Sequence, residues 1–250
     1  MIPKNNQKLV WDEFNYFMNL SSLTTPVNTL LLIVLFLSLG AQQITIARMK
    51  GMMQTAFAKQ GTSHTLNGDM MSDSIALAIS NGIPERYGVK LNVSFDDVQR
   101  SIFVLQAFDP GYGSQKITLA DDDLKRYTDI GLRISCEYCC GAQSIVFPDG
   151  NAACGCAHSQ AMRGLAAYLI QNHGEEYTND EILRELARWK GMFFPKQMIT
   201  KMAQALQTGS FSPDTAALVM GKKLPQYTTN TTSAPLPSEI KNLPSMVGGC

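Results

Sequence analysis

The sequence predicts an α+β chain: an N-terminal transmembrane helix, a small mixed α/β unit, then a cysteine-rich hairpin followed by a three-helix bundle. Three observations lead to this expectation. An uncharged apolar run lies near the start, Tyr87 to Phe95 alternates with period two, and three segments with helical periodicity follow a dense group of cysteines. At 250 residues the chain is long enough for one medium domain or two small ones.

The first 25 residues read as a polar tail. Residues 26–47 read as a transmembrane helix: Val27 to Ala41 carry no charge, Pro26 suits a first turn, and Arg48 and Lys50 flank the far end. No later run is comparable, so the expectation is a single-pass membrane protein with lipid as a partner of that one helix and an extracytoplasmic soluble part. Residues 48–82 read as a methionine-rich juxtamembrane linker.

Residues 83–130 form the expected α/β unit. Tyr87–Phe95 and Gln115–Leu119 read as strands, and Ser94 to Asp97 as the cap of a short helix running to Val104. Asp109-Pro110-Gly111 is a turn signal. Asp121-Asp122-Asp123 lacks the interleaved spacing of a calcium loop and reads as a helix N-terminus, where carboxylates complement the dipole.

Residues 131–209 hold the cysteines and three helices. Ser159–His173 presents Met162, Leu165, Ala166, Leu169 and Ile170 on one face. Thr178-Asn179-Asp180-Glu181 is a capping box that opens a second helix. Pro195 starts a third, which Gly209 ends. Residues 210–250 are rich in Thr, Ser and Pro between Tyr227 and Ser238 and read as an extended tail with a terminal cysteine.

Net charge is +0, with 21 basic and 21 acidic residues, which argues against a nucleic-acid partner. G-x-S-x-G, Walker A, G-x-G-x-x-G and H-E-x-x-H are all absent, so no familiar catalytic motif is present. The chemistry concentrates in sulfur. Five of the six cysteines lie between Cys136 and Cys156, as C-x-x-C-C followed by C-x-C-x-H. A C-x-x-C turn places two sulfurs on one side of a bend, and Phe147-Pro148-Asp149-Gly150-Asn151 is a hairpin turn that returns the second group to the first. Cys136, Cys139, Cys154 and Cys156 are the expected ligands of one metal ion. Cys140, His158 and Cys250 are optional or transfer ligands. Zinc and copper both suit the set, an iron–sulfur cluster less so. A disulfide framework and a redox-active dithiol remain alternatives, as does a structural subunit whose metal staples the fold. A protein partner is expected.

Three resemblances accompany this reading. The C-x-C-x-H run beside a second cysteine group is similar to short metal motifs of bacterial envelope proteins of the PCYCGC type, which implies copper. C-x-x-C followed by Met162-Arg163-Gly164-Leu165 and Asn179-Asp180-Glu181-Ile182-Leu183 resembles the thiol-bearing three-helix domain of cytochrome c maturation reductases, which implies a dithiol role for Cys136 and Cys139. The whole chain looks like uncharacterised single-span, cysteine-rich membrane proteins of archaea and little-studied bacteria, a resemblance that implies no activity.

Overall fold

The computed structural model describes residues 30–38, 40, 66–227 and 238–248. The chain divides into two units, Met1–Thr55 and Ala56–Cys250.

In the first unit residues 30–38 are helical and the side chains of Leu30 to Leu37 are exposed. Among the described residues no helix is long and apolar enough to cross a membrane. At 1.5 Å per residue the stretch 30–38 reaches only about 14 Å, under half of a bilayer core. This overturns the expected single-pass membrane protein, and the extracytoplasmic placement that rested on the anchor falls with it. The remaining positions of 26–47, with the tail 1–25 and residues 48–65, lie outside the described residues.

The second unit is helical. Its order is α1 (Met70–Ala78), α2 (Gly88–Leu91), α3 (Val98–Gln106), α4 (Asp121–Leu132), α5 (Ala157–His173), α6 (Asn179–Phe193), α7 (Pro195–Thr208), α8 (Pro213–Val219) and α9 (Ser238–Lys241). Among the described residues there is no strand and no sheet, only two isolated bridges, Cys136 with Ala142 and Val146 with Ala152. The α+β expectation is therefore wrong, and each expected strand fails for a local reason. Within 87–95, Tyr87, Val93 and Phe95 are buried, but Gly88–Leu91 is a helical turn stopped by Asn92 in the left-handed region at φ 54°. Gln115 and Ile117 donate to the carbonyls of Ala107 and Phe108 at the end of α3, not to a partner strand. The Ile145 N–H goes to the carbonyls of Ile134 and Gly131, which leaves the 145–154 hairpin a single bridge.

Helix α5 is the centre of the unit, packed against α3, α4 and α6. Every residue from Ala161 to Ile170 is buried. A fully buried large apolar side chain contributes about 1.5–3 kcal/mol, so this stretch dominates the core. Helix α6 follows from its capping box: the Thr178 hydroxyl accepts from the Glu181 N–H at 3.2 Å, and the Glu181 carboxylate accepts from the Thr178 N–H at 2.8 Å. Its inner face buries Leu183, Leu186, Trp189 and Phe193. Trp189 lies 4.5 Å from Phe95 between ring centroids and donates from Nε1 to the Tyr87 hydroxyl, which in turn donates to Glu185. Pro195 cannot continue α6 and opens α7, which closes at Gly209 with φ +70°.

Residues 210–250 are not simply an extended tail. Ser212-Pro213-Asp214 opens α8, which packs on α6, and Ile240 of α9 is buried. The linker assigned to 48–82 likewise contains α1, capped by Asp69 and packed against α7.

Two crossings are set by glycine. A Cβ on Gly164 would meet the Leu105 carbonyl oxygen at 2.0 Å, and one on Gly191 would meet the Ala78 oxygen at 1.9 Å. Neither neighbour is a flexible tip, so the helices would have to separate. Gly164→Ala and Gly191→Ala are each expected to lower unfolding free energy by about 1–3 kcal/mol or more, measured by urea denaturation. Unchanged midpoints would show that these crossings tolerate a methyl group.

Candidate metal centre

The cysteine loop leaves α4 at Arg133 and enters α5 at Cys156. Its first arm folds around one carbonyl: Cys136 O accepts from the N–H groups of Cys139 and Cys140, at 3.2 and 3.3 Å. Gly141, at φ +72°, turns the chain out of this knuckle. The second arm reverses at 147–151. Asn151 donates from its backbone N–H and its side-chain amide to the Asp149 carboxylate, and Gly150 N–H donates to Phe147 O. These bonds hold the exposed Asp149 carboxyl below the usual range. The return delivers Cys154, Cys156 and His158 beside the knuckle.

The structure brings the sequence-expected ligands together in two overlapping groups. The sulfurs of Cys136, Cys139 and Cys156 and a ring nitrogen of His158 all lie within 4.8 Å of one another; so do the sulfurs of Cys140, Cys154 and Cys156. These groups could hold a metal ion. Around a tetrahedral ion with metal–sulfur bonds near 2.3 Å, neighbouring sulfurs sit about 3.8 Å apart. Cys136 and Cys156 are at 3.4 Å before any ion is considered. Cys136, Cys140, Cys154 and Cys156 carry free thiols, whereas Cys139 is disulfide-bonded. Cys250 lies outside the described residues.

Cys156 occupies the N-cap of α5, and its sulfur accepts from the Ser159 N–H at 3.4 Å. The hydrogen bond from Cys136, opposed by burial and aided by the Ser159 N–H, moves the Cys156 thiol far below its ordinary value. The same shared proton, with burial, pushes the Cys136 thiol up. Cys154 is pushed up to about 11, chiefly by burial and its bond with Cys140.

His158 is fully buried between the rings of Phe193 and Phe194, at centroid distances of 5.1 and 4.9 Å. Its Nε2 lies 2.8 Å from the Val247 carbonyl oxygen, an acceptor only, so Nε2 carries the proton. Nδ1 then presents a lone pair, and it has no hydrogen-bond partner among the described residues. Metal-binding histidines have this arrangement, with the second nitrogen donating to a carbonyl that fixes the tautomer. His173 is elsewhere, paired with Glu176 at 3.1 Å.

Two buried charge clusters position the loop. Arg163 of α5 makes two parallel bonds to Asp109, Nε to Oδ1 at 2.8 Å and Nη2 to Oδ2 at 2.7 Å, with neither side chain exposed. Its Nη1 donates to the carbonyls of Ile145 and Cys154. Glu137, inside the C-x-x-C turn, receives Lys190 and Lys201 at 3.2 and 3.0 Å, and both lysines also meet Asp214, at 2.7 and 2.8 Å. The first arm is thereby tied to α6, α7 and α8. Sequence reasoning did not find these groups. The one available signal was a lone arginine among apolar and small residues on the buried face of α5.

No family model, curated protein or solved structure matches this chain.

Asp109→Asn leaves the buried Arg163 guanidinium without its counter-charge and is expected to cost roughly 3–5 kcal/mol of stability, read by denaturant titration. Burial opposes ionisation of Asp214, but Lys190 and Lys201 outweigh it and hold the carboxyl well below the usual range. Its contribution is therefore whole above the unfolded value of about 3.9 and is lost as the pH falls below it. Asp214→Asn should remove part of the acid-induced loss of stability below about pH 4. An acid limb as steep as that of the native chain would place the sensitivity on other carboxylates.

Proposed function

We propose that this chain is a metal-binding protein whose Cys136, Cys139 and Cys156 thiolates and His158 Nδ1 hold one zinc or copper ion, serving metal handling or the assembly of a larger protein complex. The observation that carries this reading is the His158 ring, buried and tautomer-fixed by Val247, with Nδ1 unpartnered among the described residues and the three sulfurs close by. Leaving a buried polar atom unpaired costs about 1–3 kcal/mol, and a metal bond removes that cost. Three thiolates and an imidazole suit zinc, and the softness of sulfur suits Cu(I). Because Cys139 is disulfide-bonded, the complete donor set belongs to the reduced protein.

A second reading, a thiol–disulfide oxidoreductase, is favoured by one observation: the Cys136 and Cys156 sulfurs lie 3.4 Å apart while Cys139 is oxidised. On this reading the pair is Cys136 and Cys156, in place of the Cys136 and Cys139 that C-x-x-C suggests.

Elemental analysis of protein purified anaerobically with a reductant separates the two. About one equivalent of zinc or copper is expected, and His158→Ala should weaken retention by tenfold or more, within the range for lost ligand support. Metal-free protein that reduces a disulfide substrate catalytically would overturn the metal reading.

A further inference from the structure

The two sulfur groups differ in surroundings and share one atom. Cys136 and His158 are buried, Cys139, Cys154 and Cys156 are half-buried, and Cys140 is exposed. The Cys156 sulfur belongs to both groups. The buried group offers four donors and the outer group three, which leaves an ion there a coordination position open to an incoming or departing ligand.

We propose that Cys140, Cys154 and Cys156 form a surface entry port through which a zinc or Cu(I) ion reaches, and leaves, the buried Cys136–Cys139–Cys156–His158 site. This rests on the metal-binding reading above and adds a route to it.

Transfer is ligand exchange at constant oxidation state. The ion keeps its bond to Cys156 Sγ throughout. Bonds to Cys140 and Cys154 break as bonds to Cys136, Cys139 and His158 Nδ1 form. The protons displaced from Cys136 and Cys139 pass to the released Cys140 and Cys154 sulfurs or to water. Where Cys139 is still disulfide-bonded, a dithiol reductant first supplies two electrons and two protons, is itself oxidised to a disulfide, and frees the Cys139 thiol together with the thiol it was bonded to. Moving through a shared thiolate spares the ion complete loss of its ligands. A buried four-ligand site closed on every side would lack that path. The arrangement of the backbone serves the same end: the Cys156 N–H donates to Cys154 Sγ at 3.4 Å, so the C-x-C turn aims both sulfurs toward one face.

The test is the rate at which the reduced, zinc-loaded full chain yields its metal to excess EDTA, alongside equilibrium zinc affinity. Cys140→Ser alone, at an exposed position, and the Cys140→Ser, Cys154→Ser pair are compared with the native chain. We expect both variants to keep equilibrium affinity within about threefold and to release zinc at least about tenfold more slowly, a barrier increase of about 1.4 kcal/mol. Release at the native rate from both variants, with affinity retained, overturns the port and leaves the buried site standing. Loss of affinity in Cys140→Ser, with the helical signal intact, also overturns it, because the outer cysteines would then be holding ligands. Failure of the native reduced chain to bind zinc or Cu(I) defeats the metal-binding reading itself.

Discussion

The position of the cysteine loop depends on one buried guanidinium. Arg163 projects from the middle of α5, where every neighbouring residue is buried, and a charge in that place requires compensation. Asp109 supplies it through two parallel bonds, and the remaining donor capacity goes to Ile145 O and Cys154 O. The planar fork of arginine makes this possible; a lysine would present a point charge and could not reproduce the geometry. One side chain therefore joins the turn after α3, the two sides of the hairpin in the second arm and the central helix. The loop has no ladder of its own beyond two isolated bridges, so these side-chain bonds do the work that strand pairing would do in a ribbon.

The clamp on Glu137 complements the first. Lys190 is fully buried, and its charge is balanced by Asp214 and Glu137. Since Glu137 lies between Cys136 and Tyr138, the turn carrying the first sulfurs is fixed to the helical core from outside while Arg163 fixes the second arm from inside. From composition alone the segment is poor in large apolar residues, and a metal looks necessary to hold its shape. The two ion clusters alter that balance: protein charges position the sulfurs.

What could be read from the sequence follows the range of the interactions. The capping box at Thr178 and Glu181, the glycine stop at Gly209 and the acidic first turn at Asp121–Asp123 are local and were legible. The cysteine spacing was legible for the same reason, since a knuckle and a reversing turn need only nearby residues. The strands were misread because burial alternation at Tyr87, Val93 and Phe95 arises from a helical turn followed by an extended segment. The apolar run at 26–47 satisfies a membrane pattern by composition, yet the described part is too short to span. The buried ions were not legible, because Asp109 is 54 residues from Arg163 and nothing local distinguishes it from a turn aspartate. Val247 was hidden in the same way, 89 residues from His158.

That last contact links the far end of the described chain to the site. The Val247 N–H donates to Phe193 O at 2.8 Å, and its carbonyl receives His158 Nε2. The segment is thus seated on α6 and on the His158 ring together. Gly248 sits at φ +87°, a backbone conformation that L side chains rarely adopt, and an added Cβ would also meet the tip of Ile102 at 2.5 Å. An ion held at Nδ1 would withdraw electron density from the ring and make the Nε2 proton a stronger donor to Val247 O. Because coupling free energies are reciprocal, whatever seats Val247 also favours the tautomer and orientation in which Nδ1 can take the ion. A segment that reads as an extended tail by composition is therefore coupled to the orientation of the His158 ring.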